Sequence, residues 1–180
     1  MSPGVPMSAL ERSIVYRGFA DAFRSPRGGS QILSDDLIPA PAENANTEFL
    51  EAFDQAVSKA ACSLYASAHS NREQMSLYEE LIRWYDHFGL QRKAKAELPD
   101  HITVLLEFMH FLSHREHICR EASEDASSLV KAQSEFLRKH VLPLALAVEA
   151  GTKEASERYR VLSAEFLGFA RQHHEELAAA

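Results

Sequence analysis

The sequence predicts an all-α protein, a single-domain bundle of six or seven helices around one buried central helix at about residues 100–118. Three observations carry this. Apolar residues recur at steps of three and four through most of the chain, and no segment alternates with period two for long enough to make a strand. Between Ile102 and Leu112, moreover, Ile102, Val104, Leu105, Leu106, Phe108, Met109, Phe111 and Leu112 leave almost no polar side to the helix. A helix apolar nearly all round cannot face water, so its neighbours in sequence have to wrap it.

The first helix is expected from about Met7 to Phe23, with Leu10, Ile14, Val15, Phe19 and Phe23 inward and Arg12, Arg17, Asp21 and Arg24 on the other face. Residues 25–46 hold Pro26, Gly28, Gly29, Pro39 and Pro41 and read as a long loop. Periodicity returns at Thr47, with Asn46 as N-cap and a stripe of Phe49, Phe53, Val57, Ala60, Ala61 and Leu64. Another helix starts after Ser70 or Asn71, where Gln74 completes a capping-box-like pattern. It turns Met75, Tyr78, Leu81, Ile82, Tyr85 and Phe88 inward and stops at Gly89. Leu90 to Ala96, with Arg92, Lys93 and Lys95, is a solvated loop. Pro99 suits the first turn of the central helix, and Asp100 either caps that helix or lies in its first turn. A helix from about Asp125 to His140 points Leu129, Ala132, Phe136 and Leu137 inward until Pro143 ends or kinks it near Val141. A short apolar piece closes at Gly151. The last helix begins near Thr152, carries Tyr159, Leu162, Phe166 and Phe169, and frays into a solvated His173-His174 tail.

A chain of 180 residues fits one domain. The apolar share of 46% is ordinary for a globular protein, and no run approaches a membrane span. The stretch MSPGVPMSALERS has no positive segment followed by an apolar core, so no export signal is expected and the location is cytoplasmic. Acidic residues outnumber basic ones, 26 to 19, for a net charge of −7; this disfavours nucleic acid and suits a basic peptide. Cys62 and Cys119, each inside an apolar helical pattern, are expected as reduced, buried thiols. The Pro/Gly-rich 25–46 segment would permit helix exchange between copies, so a monomer and a homodimer are both compatible with the sequence.

Glu107, His110, His114 and His117 stand at i, i+3, i+7 and i+10 near one stripe of the central helix. Glutamate and imidazole are good metal ligands, and a metal-binding helical enzyme using Glu107, His110 and His114 is one reading. It lacks the second Glu-x-x-His that di-iron bundles need, and the bland alternative is a polar seam. Neither a Gly-x-Ser-x-Gly nor a phosphate-binding loop occurs. Asp100 and His101 admit two readings: a helix cap with an incidental histidine, or a carboxylate and an imidazole that receive a peptide beside Trp84 and Tyr85.

The runs YDHFGL, ELPDH and LLEFMHFL, within about Tyr78 to Glu116, resemble the redox-enzyme maturation chaperones of the TorD/DmsD/NarJ family, whose hallmark is a Glu-x-Pro-Asp-His step between helices. The surroundings look most like the subgroup serving type II enzymes of the dimethyl sulfoxide reductase family. Looser similarity extends over ERSIVYRGFADAFRSP and AQSEFLRKHVLPLA, although Leu144 stands where the pattern would carry tryptophan. The resemblance implies a cytoplasmic, non-enzymatic helical chaperone with no cofactor or metal of its own and no stable membrane insertion. Its partner would be the molybdenum-containing catalytic subunit of such an enzyme, bound before cofactor insertion and any twin-arginine export, in many members through the leader peptide. Carried over by position, the client surface falls on Glu97, Pro99, Asp100 and His101, with Tyr85, Phe88 and Gly89. Trp84 and Leu90 join it by proximity in sequence. An unrelated helical adaptor is the remaining alternative.

Overall fold

The computed structural model describes residues 6–24, 38–40, 43–91 and 97–179. Within them the chain forms seven α-helices: α1 (Ala9–Arg24), α2 (Ala45–Phe53), α3 (Gln74–His87), α4 (Ile102–Glu121), α5 (Ser127–Phe136), α6 (Leu142–Gly151) and α7 (Glu157–Ala179). A 3₁₀ turn covers Ala66–His69 and a wide π turn covers Leu137–Val141. Among the described residues there is no strand, only an isolated antiparallel bridge between Tyr65 and His101.

The central helix is where the sequence puts it. α4 buries Ile102, Leu105, Leu106, Phe108, Met109 and Leu112, none more than 2% exposed. α1 lies antiparallel along it, since Arg24 pairs with Glu107 at one end and Arg12 with Glu116 at the other. Two aromatic clusters flank the pair. On one side Tyr16, Phe19 and Phe23 of α1 meet Phe166 and Phe169 of α7, with Phe53 of α2 against Phe23 and Tyr159. On the other, Trp84 and Tyr85 of α3 and Phe88 just after it meet Phe108 of α4, and Trp84 and Tyr85 also meet Phe136 of α5. Edge-to-face contacts of this kind add directional preference to the apolar burial.

Several expected boundaries move. The helix expected over Thr47 to Leu64 ends at Phe53, because Asp54 leaves the helical conformation and its carboxylate accepts from Ala56 N. Val57 is consequently exposed, while Ala61, Cys62 and Leu64 reach the core from a returning segment held by Cys62 N to Ala52 O. Asn46 does not cap α2, whose N-cap position is Asn44. In α3 the cap is Glu73, which accepts from Met75 N and Ser76 N. Leu77, Leu81 and Tyr85 form its buried side, and Met75 and Ile82 face solvent.

Pro143 does not interrupt the chain's helical course. The wide π turn before it, closed by Leu142 N donating to Leu137 O, runs directly into α6, and Pro143 stands in the first turn of that helix. Leu144, at the expected tryptophan position, is buried. Thr152 belongs to the end of α6, its hydroxyl donating to Val148 O, so α7 starts later, at Glu157. Nor does α7 fray at the expected place: His173 is 1% exposed and hydrogen-bonded to Tyr16. Leu10 and Ile14 of α1, expected inward, are substantially exposed. The expected long loop falls mostly outside the described residues, as does 92–96 of the basic loop; Ile38 is buried and Arg158 donates to Pro39 O.

Candidate functional site

The segment Glu97–His101 is fixed by its own backbone and by residues distant in sequence. Ala66 N donates to Asp100 O at 3.0 Å and Ile102 N to Leu64 O at 2.8 Å, tying the entrance of α4 to the strand-like piece before the 3₁₀ turn. Tyr85, buried in α3, donates its hydroxyl to Pro99 O at 2.7 Å. Asp100 is 0% exposed and accepts from Ser67 N at 2.8 Å.

Asp100 is thus a clamp across the chain rather than the cap of α4. The cap is His101, whose Nδ1 accepts from Thr103 N. Burial lowers the His101 pKa, with the nearby Glu97 and Asp100 carboxylates opposing that, so the ring favours its neutral form. Its ring packs against that of Tyr65 at a steep angle, centroids 4.8 Å apart, and Tyr65 in turn donates to Glu97 at 3.2 Å.

The expected site residues therefore divide. Pro99, Asp100 and Tyr85 point into the protein. Glu97 is exposed and His101 half-buried, and both line a cleft of about 300 Å³. Trp84 and Phe88 are half-buried and turn onto Phe108, with Trp84 also on Phe136 and Phe88 on Phe111. Gly89 takes the left-handed conformation, φ +72°, that ends α3, and Leu90, half-buried, donates its N–H to Tyr85 O.

The rest of the cleft comes from elements the motif does not include. Phe23 and Arg24 end α1, Phe49, Leu50, Phe53 and Asp54 end α2, and Leu64 and Tyr65 precede the 3₁₀ turn. Its floor is apolar and aromatic, and its rim carries two carboxylates, an arginine and an imidazole. Phe49 and Phe53 were legible as an apolar stripe, but nothing local in the sequence says that α2 stops at the mouth of this cleft. Tyr65 and Ser67 carry no sequence signal, because their partners lie more than thirty residues away.

Of the histidine seam of α4, Glu107 and His110 serve α1. His110 Nδ1 lies 2.8 Å from Ser13 Oγ, and Glu107 pairs with Arg24 and, at 3.7 Å, with Arg17. Among the described residues no group of three or more His, Cys, Asp or Glu side chains is arranged to hold a metal ion.

Fold and site together define an all-α bundle whose central helix is entered through a Glu-x-Pro-Asp-His step, with an apolar-floored, charge-rimmed cleft beside it. The chain belongs to the nitrate reductase delta subunit family, whose model matches residues 24–148. It is 31% identical over 134 residues to the selenate reductase assembly chaperone protein of Thauera selenatis, a match covering 70% of this chain and 68% of the relative. It is 34% identical over 142 residues to the perchlorate reductase assembly chaperone protein of Dechloromonas aromatica, covering 75% and 62%. The dimethyl sulfide dehydrogenase assembly chaperone protein of Rhodovulum sulfidophilum is 31% identical over 155 residues, covering 77% and 62%. The matches to the latter two thus span less than two thirds of those relatives' length. No helix among the described residues is long and apolar enough to cross a membrane.

Proposed function

We propose that this chain is a cytoplasmic assembly chaperone that binds the apo catalytic subunit of a molybdenum-containing oxidoreductase of the dimethyl sulfoxide reductase family. It keeps that subunit ready for cofactor insertion, and back from twin-arginine export where the client is exported. It catalyses no reaction and carries no cofactor of its own. The observation that carries the reading is the cleft beside the Glu97–His101 step, in a chain whose relatives are named assembly chaperones of such enzymes.

A leader peptide combines basic residues with an apolar stretch. The floor of Phe23, Phe49 and Phe53 would take an apolar side chain, and the rim carboxylates of Glu97 and Asp54 would take a basic one. Glu97 and His101 are the cleft contacts in this reading; Trp84, Phe88, Gly89 and Leu90 line no part of the cleft and would meet only a client that runs beyond it. Tyr85, Pro99 and Asp100 hold the step in place.

The test is affinity capture from the native cell with mass spectrometry of the retained partner, using the wild type and the variants Glu97→Gln and His101→Asn. Asparagine is chosen because it preserves an N-cap acceptor while removing the ring. The expected partner is a molybdoenzyme catalytic subunit, its recovery falling about tenfold in each folded variant, the scale of a lost interface hot spot. Capture that lacks such a subunit, or recovery equal to wild type in both variants, would overturn the proposal.

A further inference from the structure

Tyr65 lies outside the Glu-x-Pro-Asp-His step, yet it touches both of the residues that the step presents to the cleft. Its backbone is locked opposite His101. The two residues form the isolated antiparallel bridge, flanked by Ala66 N to Asp100 O at 3.0 Å and Ile102 N to Leu64 O at 2.8 Å. Ser67, two residues further on, donates its N–H to the buried Asp100 carboxylate at 2.8 Å. These bonds hold the segment that carries Tyr65 against the step, so the tyrosine cannot slide along it.

From that fixed backbone the side chain makes two contacts. Its ring packs on the His101 imidazole, centroids 4.8 Å apart at 65°, and its hydroxyl donates to Glu97 Oε2 at 3.2 Å. His101 is also tied through Nδ1, which accepts from Thr103 N. Tyr65, Glu97 and His101 all line the cleft. Burial, with the Glu97 carboxylate beside it, raises the Tyr65 pKa, so the phenol remains a donor at neutral pH. A hydrogen bond to an exposed glutamate adds little to the fold, but it restricts the rotamers of a long side chain. A glutamate that must be ordered on binding weakens a complex by about two- to tenfold, and one ordered beforehand escapes that loss.

We propose that Tyr65 is a positioning residue for the client: it holds the Glu97 carboxylate and the His101 imidazole in the cleft in the arrangement that a basic, apolar-flanked segment of the client meets. The inference rests on the client reading and adds to it a residue that belongs to no motif. It also separates the two contacts, because phenylalanine at this position keeps the ring against His101 and loses only the donor to Glu97.

The first measurement needs no client. In nuclear magnetic resonance spectra of the free full chain, Tyr65→Phe should shift the Glu97 carboxyl carbon and leave the His101 ring protons in place, whereas Tyr65→Leu should shift both. The second is affinity capture of the catalytic subunit from the native cell. Tyr65→Phe should recover about threefold less than wild type at an unchanged urea midpoint, and Tyr65→Leu about tenfold less. In a Glu97→Ala background Tyr65→Phe should cause no further loss, as expected of a residue that acts through the carboxylate. A merely structural role would move the urea midpoint and would add to the effect of Glu97→Ala. Unmoved signals in both variants, capture by Tyr65→Phe equal to wild type, or an added loss in the Glu97→Ala background would each overturn the inference. If the signals move as expected but wild type retains no molybdoenzyme subunit, the client reading itself has failed, and the binding role of Tyr65 with it.

Discussion

Asp100→Ala tests the argument that the motif's carboxylate is a structural clamp. The side chain is 0% exposed and its Oδ2 accepts from Ser67 N at 2.8 Å. Removing it deletes a charge-assisted hydrogen bond, worth about 1.5–3 kcal/mol, and leaves the Ser67 amide without its acceptor. Against that, alanine relieves the cost of burying a carboxylate whose other oxygen, Oδ1, has no partner among the described residues. The net expectation is a destabilisation of about 2 kcal/mol, which for a domain of this size lowers Tm by about 4–8 °C. Asp100→Asn retains an oxygen acceptor of the same shape without the charge, and should stay within about 1 kcal/mol of wild type. Urea unfolding followed by far-UV circular dichroism measures both. Amide hydrogen exchange adds a local readout, because the Ser67 N–H should lose protection in the alanine variant alone. If Asp100→Ala unfolds at the wild-type urea midpoint with Ser67 still protected, the clamp does not exist.

Stability should also fall on mild acidification. Burial, the main cause in each case, pushes the His140 pKa down to about 4 and the His173 pKa down to about 3. Both imidazoles are neutral in either state above the unfolded value near 6.5. Below it the unfolded chain takes up protons that the folded one refuses, so stability drops by about 2 kcal/mol per imidazole between pH 7.5 and pH 5. Urea unfolding at the two pH values checks this, and His173→Phe should remove about half of the loss. Gly151→Ala places a Cβ 2.5 Å from Cys62 Sγ, an overpacking expected to cost about 1–3 kcal/mol. The same change in a Cys62→Ala background should cost less, by at least about 0.5 kcal/mol in a double-mutant cycle. Glu116→Ala strips the common acceptor from Arg12, Arg120 and Gln133 and should destabilise by about 3–5 kcal/mol in thermal or urea unfolding, since it leaves the buried Arg12 charge unpaired.

What was legible in the sequence is what short-range periodicity encodes. α1, α4 and the inward aromatics of α3 and α7 follow from repeats of three and four, because burial of one face selects them locally. Boundaries were less legible where a side chain competes with the helix. Asp54 stops α2 through a turn of its own, and Glu73 caps α3 two positions after Asn71, which has the more familiar capping side chain. Pairings across the fold were not legible at all: Ser67 with Asp100, Tyr16 with His173 and Arg12 with Glu116 each join at least one residue whose identity is unremarkable in its own neighbourhood. His173 shows the consequence most clearly, since its neighbours in HHEELAAA read as a solvated tail until Tyr16 is brought against it.

The Glu97–His101 step shows why a motif read as one surface divides in space. The step turns at Pro99 and Asp100, closed by His101 N donating to Leu98 O, so a run of five contains both the groups that anchor it and the groups it presents. Here Pro99 and Asp100 are buried, and Glu97 and Leu98 are exposed, with His101 half-buried between its cap and the cleft. The division makes two classes of variant separable. Substitution at Asp100 or Tyr85 should lower stability and client capture together, because the presented residues lose their support. Substitution at Glu97 should lower capture at unchanged stability, because its hydrogen bond from Tyr65 is exposed and worth little to the fold. Urea midpoints plotted against capture for Tyr85→Phe, Asp100→Ala and Glu97→Gln would place the three variants on one line if the step acted only as scaffold. Glu97→Gln should instead fall well below that line, with wild-type stability and reduced capture.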